Sequence, residues 1–435
     1  MLNSMYTIIQ LELYLKRHEK NMAKDAFLII EDQKSMALLL QRELAFLTDL
    51  PIYICHSLAE VTALLDTNVH ISVCLSDLNL PDAAQGEAID LLLNKHITTI
   101  VVTASYNDET RQAMFKRKVA DYVLKDGLSS IRYAVQTAYT IHQNSQRHVW
   151  LLSPGSKSSS KLLGMLRIHH FQVSLYENCY ELKEGLKNNS PDLLLLDVSE
   201  DLSSTELYTF VNHIRSQYSQ NQLPMMSCAP SENIAAAIKL MKYGVNDFYN
   251  TSFTAEEFHI RVNQNIQQAE SFLEIERISQ TDALTGIFNR GHFFNAGTVR
   301  FEQLKSSQTY FFTVMADIDH FKRVNDDHGH QKGDDAIVYT AQQVQQTFSN
   351  HLVARFGGEE FCVLGQVEDA SEIETLCETL RATIENDSLS ATGVPFTISL
   401  GLTYSGKDLE EAVSNADKAL YRSKESGRNQ VSTEY

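Results

Sequence analysis

The sequence predicts an α/β chain in which two copies of a parallel, doubly covered sheet precede a third domain of different build. Three observations carry this. Short apolar runs ending on polar residues alternate with helix-like stretches, the signature of strands buried on both faces. The series returns about 120 residues later, as a repeated domain would. Beyond residue 280 the repeat stops and dense polar motifs replace it.

In the first copy, Phe27-Leu28-Ile29-Ile30 ends at Glu31-Asp32, Val73-Cys74-Leu75-Ser76 at Asp77, and Ile100-Val101-Val102 at Thr103; Asp121-Tyr122-Val123-Leu124 leads into Lys125. The second copy runs Val149-Trp150-Leu151-Leu152, then Leu193-Leu194-Leu195-Leu196 to Asp197, Met225-Met226 to Ser227, and Asp247-Phe248-Tyr249-Asn250. The expected divisions are an N-terminal extension over 1–24, domains over 25–145 and 147–253, a helix over 254–280, and a last domain over 281–435. In that helix Phe258, Val262 and Ile266, then Phe272, Ile275 and Ile278, recur at four- and three-residue spacings. It reads as a connector, either passive or a dimer-forming signalling helix.

Composition fits folded domains, with 43% hydrophobic and 21% charged residues and only 7 Pro in 435. A net charge of -18 opposes phosphate-backbone contacts, so nucleic acid is not an expected partner. Six scattered cysteines suggest neither a zinc site nor a disulfide framework and suit a reducing compartment. No run reaches the roughly 18 apolar residues of a membrane span. Residues 5–15 are broken by Gln10 and Glu12 and lack a basic leader, so a cytoplasmic location without membrane insertion is expected.

Ligands of parallel sheets sit at the carboxyl ends of strands, where the polar residues of the first copy fall. Glu31 and Asp32 can hold a hard cation, Asp77 can accept a phosphoryl group, Thr103 can bond it and Lys125 can neutralise it. Singly, such acids read as helix caps; five together do not. The set resembles the receiver domain of two-component response regulators. That resemblance implies a flavodoxin-like fold, phosphorylation of Asp77 by a sensor histidine kinase or phosphotransfer protein, and a switch through Thr103 and Lys125. In the second copy Ser153 and Pro154 replace the acidic pair and Thr251 replaces the lysine, leaving Asp197 and Ser227. That copy is expected to be an unphosphorylated adaptor.

The last domain carries Asp282-Ala283-Leu284-Thr285-Gly286, then Asp317-Ile318-Asp319-His320-Phe321-Lys322 and Asn325, then Phe356-Gly357-Gly358-Glu359-Glu360-Phe361. Residues 310–316 read as a strand delivering Asp317 to its end, and Gly357-Gly358 as a tight hairpin presenting two carboxylates. Three acids that converge this way suit metal-assisted attack of a hydroxyl on a nucleotide. Residues 279–432 resemble a GGDEF-family diguanylate cyclase in its GGEEF variant, and the whole order resembles response regulators with two receivers and a cyclase.

The resemblance implies a mainly antiparallel central sheet flanked by helices, two GTP condensed to cyclic di-GMP, and Mg²⁺ (or Mn²⁺) held by Asp317, the Ile318 carbonyl, Glu359 and Glu360. It makes Glu359 the base and Lys322 the transition-state cation. Amides near Phe321 would cradle phosphate, Asn325, His330 and Asp334 would line the guanine pocket, and Lys424 and Arg428 would hold the β- and γ-phosphates. It also implies a homodimer when active. Phe348 and His351 stand where many members carry an Arg-x-x-Asp inhibitory site, so feedback through that site is not expected. The competing readings are a silent scaffold or GTP sensor, and a cyclase with another nucleotide product.

Overall fold

Parallel strands form where the apolar runs end on acids. The structure, a computed structural model, describes residues 25–105, 107–154, 156–198, 204–305 and 310–434. The extension expected over 1–24 lies outside the described residues. Two units divide at Leu273 and Glu274.

The first unit holds two five-stranded parallel sheets. One is built from β1 (Asp25–Ile30), β2 (Ile52–Cys55), β3 (His70–Ser76), β4 (Thr98–Thr103) and β5 (Asp121–Leu124), in the order β2-β1-β3-β4-β5. Its helices are α1 (Lys34–Ala45), α2 (Leu58–Leu65), α3 (Glu87–Asn94), α4 (Asp108–Lys116) and α5 (Leu128–Asn144). The other has β6 (His148–Leu152), β7 (Gln172–Tyr176), β8 (Leu193–Asp197), β9 (Met225–Ala229) and β10 (Asp247–Asn250), in the order β10-β9-β8-β6-β7. Helices α6 (Ser156–Ile168), α7 (Cys179–Leu186), α8 (Ser204–Gln217), α9 (Ile234–Lys242) and α10 (Ala255–Gln280) accompany it. Two strands not expected from the sequence, β2 and β7, lie at sheet edges and are mostly half-buried. Gln172 and Ser174 interrupt β7, as suits a partly solvated edge, whereas β2 is an apolar run of only four residues, Ile52-Tyr53-Ile54-Cys55.

The stretch read as a connector is one unbroken helix with two environments. Phe258, Val262 and Ile266 of α10 are fully buried with Val149, Leu195 and Tyr249 of the second sheet. Each such residue stabilises the packing by about 1.5–3 kcal/mol. The first half of α10 is thus a core helix of the second domain, and the expected boundary at 253 falls too early. Farther along, Phe272, Ile275 and Ile278 are exposed.

His169, after α6, and His259, on α10, stack with centroids 3.3 Å apart and planes 9° from parallel. The His169 Nε2 lies 3.2 Å from the Ala120 carbonyl of the first domain, which makes it the donor. Burial drives the His169 pKa down to about 3 and that of His259 well below the usual imidazole range. Unfolding exposes both to protonation near pH 6.5 while the folded pair stays neutral, so stability falls as pH drops below that value. Between pH 7.5 and 5.5 the two groups should cost the first unit about 2–3 kcal/mol, and denaturant titration of His259→Phe should show a shallower pH dependence.

The second unit contains a six-stranded mixed sheet, ordered β11-β13-β14-β12-β15-β16. Its strands are β11 (Phe288–Asn289), β12 (Tyr310–Ile318), β13 (Leu352–Gly357), β14 (Glu360–Val367), β15 (Ile398–Thr403) and β16 (Val431–Glu434). The central pairs are antiparallel, while β11 and β16 add in parallel at the edges. The helices are α11 (Arg290–Lys305), α12 (Phe321–His328), α13 (His330–Thr347), α14 (Ala370–Thr392) and α15 (Leu409–Glu425).

Candidate functional site

The first cluster forms at the carboxyl ends of β1 and β3. Glu31, Asp32 and Asp77 each place one carboxylate oxygen within 4.8 Å of the others, the one such acidic, histidine or cysteine trio among the described residues. Lys125 Nζ reaches both Asp77 Oδ2 at 2.5 Å and Glu31 Oε2 at 2.6 Å. Burial raises the pKa of Glu31, and the ammonium only partly offsets it. A buried acid held by a cation, beside two further carboxylates, is a donor set suited to a hard divalent ion.

Thr103 is buried at the end of β4. Its hydroxyl lies 3.4 Å from the Ser105 amide, while the buried Tyr122 hydroxyl donates to the Ser105 carbonyl at 3.2 Å. Tyr122 was not among the sequence candidates; an aromatic in a core strand carries no signal of the hydrogen bond at its tip. The equivalent positions of the second sheet hold no acidic pair. Ser153 Oγ instead donates to the buried Asp197 at 2.7 Å, and Lys161 Nζ bonds the Thr251 carbonyl at 2.5 Å.

In the second unit the antiparallel β12–β14 ladder sets Asp317 directly opposite Glu360. The intervening turn uses Gly357 and Gly358 at positive φ (+142° and +55°), which glycine adopts without strain. Asp317 is 6% exposed, and its pKa is raised to about 6 by burial and by the charges of Glu359 and Glu360, against Lys424. Lys424 Nζ, near the end of α15, sits 2.8 Å from Asp317 Oδ2. The resemblance assigned Lys424 to a phosphate; in the structure its ammonium pairs with the Asp317 carboxylate.

The expected convergence of three acids is looser than expected. Asp317, Glu359 and Glu360 are near enough to interact but do not close to the spacing of the first cluster. Glu359 lies in the turn and Glu360 begins the strand. The set of hard carboxylate oxygens fits a divalent cation, which would have to displace the Lys424 ammonium from Asp317.

Just after β12, His320 at positive φ (+53°) is the N-cap of α12, whose first-turn amides lack helical partners and suit an anion. Lys322 is exposed on that turn, with Phe321 half-buried behind it. Asn325 and Asp334 are half-buried on successive helices, and the exposed His330 begins the second of them. Gly333 explains how these helices approach. A Cβ there would lie 2.0 Å from Asn325 Oδ1 and 3.2 Å from the Phe321 ring. Gly333→Ala should therefore displace Asn325 and raise the KM for nucleotide about tenfold with a smaller change in kcat, measured by initial-rate kinetics.

Sequence reasoning missed the clamp on the hairpin. Arg355 donates to the Gly358 carbonyl through Nε (2.9 Å) and Nη2 (2.7 Å), and through Nη1 to Asp282 at 2.9 Å. Burial raises the Asp282 pKa, but Arg355 and Thr285 outweigh it and hold the carboxyl below its usual range. Of the remaining expected residues, Arg428 lies half-buried in the turn after α15, and Ile318 is buried at the strand end.

Phe348 is fully buried, packing beside Phe312 and His351, so an aromatic core residue stands where an inhibitory site would need a cation.

Residues 279–430 match the family model described as "Diguanylate cyclase, GGDEF domain". The second unit carries a GGDEF domain. Its relatives include, in Escherichia coli K12, "Probable diguanylate cyclase DgcT", 37% identical over 164 residues, and "Diguanylate cyclase DgcM", 34% identical over 163. Each alignment covers 36% of this chain, and 36% and 39% of the respective relatives, so the chain spans well under half of their length. Two solved structures described as two-component system response regulator/GGDEF domain proteins match 57% of this chain and all of their own. Both are 29% identical, with TM-scores of 0.51 and 0.50. Those matches reach beyond the GGDEF domain, which alone accounts for 279–430.

Proposed function

We propose that this chain is a response regulator that condenses two GTP into cyclic di-GMP and two diphosphates, its GGDEF domain controlled by phosphorylation of Asp77. The observation that carries the reading is the match of residues 279–430 to the GGDEF domain, supported by Asp317 standing opposite Glu360 and the charge of Glu359 acting on it.

Each 3′-hydroxyl attacks the α-phosphorus of the other nucleotide, and diphosphate leaves. Glu359 takes the hydroxyl proton, while Lys322 and the first-turn amides of α12 meet the charge on the phosphoryl oxygens. Asn325, His330 and Asp334 hold guanine; an aspartate accepts from N1 and N2, donors that adenine does not offer in that arrangement. Lys424 leaves Asp317 for the β- and γ-phosphates, joined by Arg428. Magnesium or manganese, bound by Asp317, the Ile318 carbonyl, Glu359 and Glu360, would lower the pKa of the hydroxyl and neutralise the triphosphate. Because the product is symmetric, two domains must face each other, and the working form is a homodimer. The exposed Phe272, Ile275 and Ile278 on the second half of α10 support a helix that pairs.

Phosphoryl transfer from a histidine kinase or phosphotransfer protein to Asp77, with a cation at Glu31 and Asp32, would draw Lys125 and Thr103 to the new phosphoryl group. Asp197, already bonded to Ser153, would stay unmodified, leaving the second domain an adaptor. No helix among the described residues is long and apolar enough to cross a membrane, in keeping with a cytoplasmic place for GTP chemistry.

The deciding experiment measures GTP turnover with chromatographic identification of product, with and without beryllofluoride, over a protein dilution series. Cyclic di-GMP whose specific rate rises with concentration and beryllofluoride supports the reading. GTP binding without product would make the domain a sensor. Asp77→Asn should abolish both phosphoryl incorporation and the beryllofluoride response while leaving a basal rate; incorporation that persists would move the modification elsewhere.

A further inference from the structure

One carboxylate beside the metal-binding residues is unused by this mechanism. Asp319 is 4% exposed. Its oxygens accept from Ser399 Oγ at 2.6 Å, Thr397 Oγ1 at 2.7 Å and the Asn429 amide at 3.0 Å. Its own amide donates to the Thr397 carbonyl at 2.9 Å. With three donors on two oxygens, the charge of Asp319 is met by the protein itself.

The three donors come from two segments. Ser399 faces Asp317 across the β12–β15 ladder, and Thr397 lies just before β15. Asn429 belongs to the turn after α15, where Gly427, Arg428 and Asn429 all have positive φ (+117°, +64° and +48°). Non-glycine residues hold that conformation only when the surroundings impose it. Asn429 is further clamped by its side chain, donating to Glu385 at 2.7 Å and accepting from Arg381 at 2.8 Å. The Arg428 amide donates to the Ser423 carbonyl at 3.0 Å. Every anchor of the turn lies outside Arg428's own side chain, which is what a pre-set cation requires.

We propose that Asp319 is a positioning residue for the triphosphate: with Asn429, it holds the 427–429 turn so that Arg428 meets the β- and γ-phosphates, and it is not a metal ligand. This rests on the reading of Arg428 as a phosphate-binding cation. The alternative for a buried acid two residues from Asp317 is a further ligand to the ion, and the two roles separate by which nucleotide suffers and whether added metal helps.

The test is equilibrium binding of GMP and of a non-cyclising α,β-methylene GTP analogue to the full chain in magnesium, comparing wild type with Asp319→Asn, Asn429→Gly, Arg428→Ala and the Asp319→Asn/Arg428→Ala double variant. Asn429→Gly keeps the main-chain donor and tolerates positive φ while removing the side-chain clamps. Asp319→Asn is expected to weaken the triphosphate analogue about tenfold, equivalent to about 1.4 kcal/mol, leaving GMP unchanged at any magnesium concentration. Asn429→Gly should shift the same ligand in the same direction. The double variant should bind no worse than Arg428→Ala alone, since both changes remove one interaction. Equal losses for GMP and the analogue, additive losses in the double variant, or rescue by excess magnesium would each overturn the proposal. If Asp319→Asn lowers the unfolding midpoint, Asn429→Gly decides alone. A wild-type chain that binds neither nucleotide defeats the reading of the site; normal binding with an Arg428→Ala defect and no Asp319 effect defeats only this inference.

Discussion

Glu359→Gln is expected to lower cyclic di-GMP formation by about 10²–10⁴-fold, the range that a positioned general base contributes. The substitution keeps the shape of the turn, and Arg355 still holds the Gly358 carbonyl beside it. The unfolding midpoint should therefore change little, and GTP binding measured without divalent metal should be unaffected, since the lost carboxylate serves the proton and the metal. Turnover followed by chromatography, with nucleotide binding measured separately, checks both halves. A variant retaining a tenth or more of the wild-type rate would move the base to another group. Because Glu359 also raises the Asp317 pKa, its neutralisation should ease ionisation of Asp317 and cannot by itself explain a lost rate as a protonation effect.

Gly401→Ala is expected to unfold the GGDEF domain or bring it close to unfolding. Gly401 lies in β15 under α15, and a Cβ there would stand 2.1 Å from the Leu420 amide nitrogen and 2.2 Å from the Ala416 carbonyl oxygen. Both obstacles are backbone, so no rotamer change relieves the clash. Overpacking among side chains costs about 1–3 kcal/mol, and displacing a whole helix should exceed that. Denaturant unfolding should show the loss in the second unit alone, with the first unit unfolding as in wild type. An unchanged midpoint would mean that α15 can slide outward, and the Lys424–Asp317 pair would then be the contact to break.

These effects separate what was legible in the sequence from what was not. The strand-end acids were legible because period and position are local: an apolar run that ends on Asp77 or Asp317 announces both the strand and the place of its charge. Gly357 and Gly358 were legible as a turn for the same reason. The edge strand β7 was not, since Gln172 and Ser174 interrupt its apolar run, and β2 is a four-residue apolar run followed by His56 rather than an acid. Helix α10 was legible as a helix but not as a divided one. Phe258 and Ile275 look alike in sequence, and only the second sheet decides that one is covered.

The sequence by itself determined the chemistry on offer: which carboxylates, hydroxyls and cations stand at strand ends, in what order, and that the second sheet lacks the acidic pair of the first. Only the tertiary structure decided how those groups are held. Arg355 meets Asp282 from 73 residues away, and Asn429 meets Asp319 from 110. The stacked His169 and His259 are likewise joined by folding. The physical reason is range. Backbone periodicity and turn chemistry act over a few residues, whereas a carboxylate's partner is chosen by which surfaces the hydrophobic cores bring together, and that choice is made by the whole domain at once.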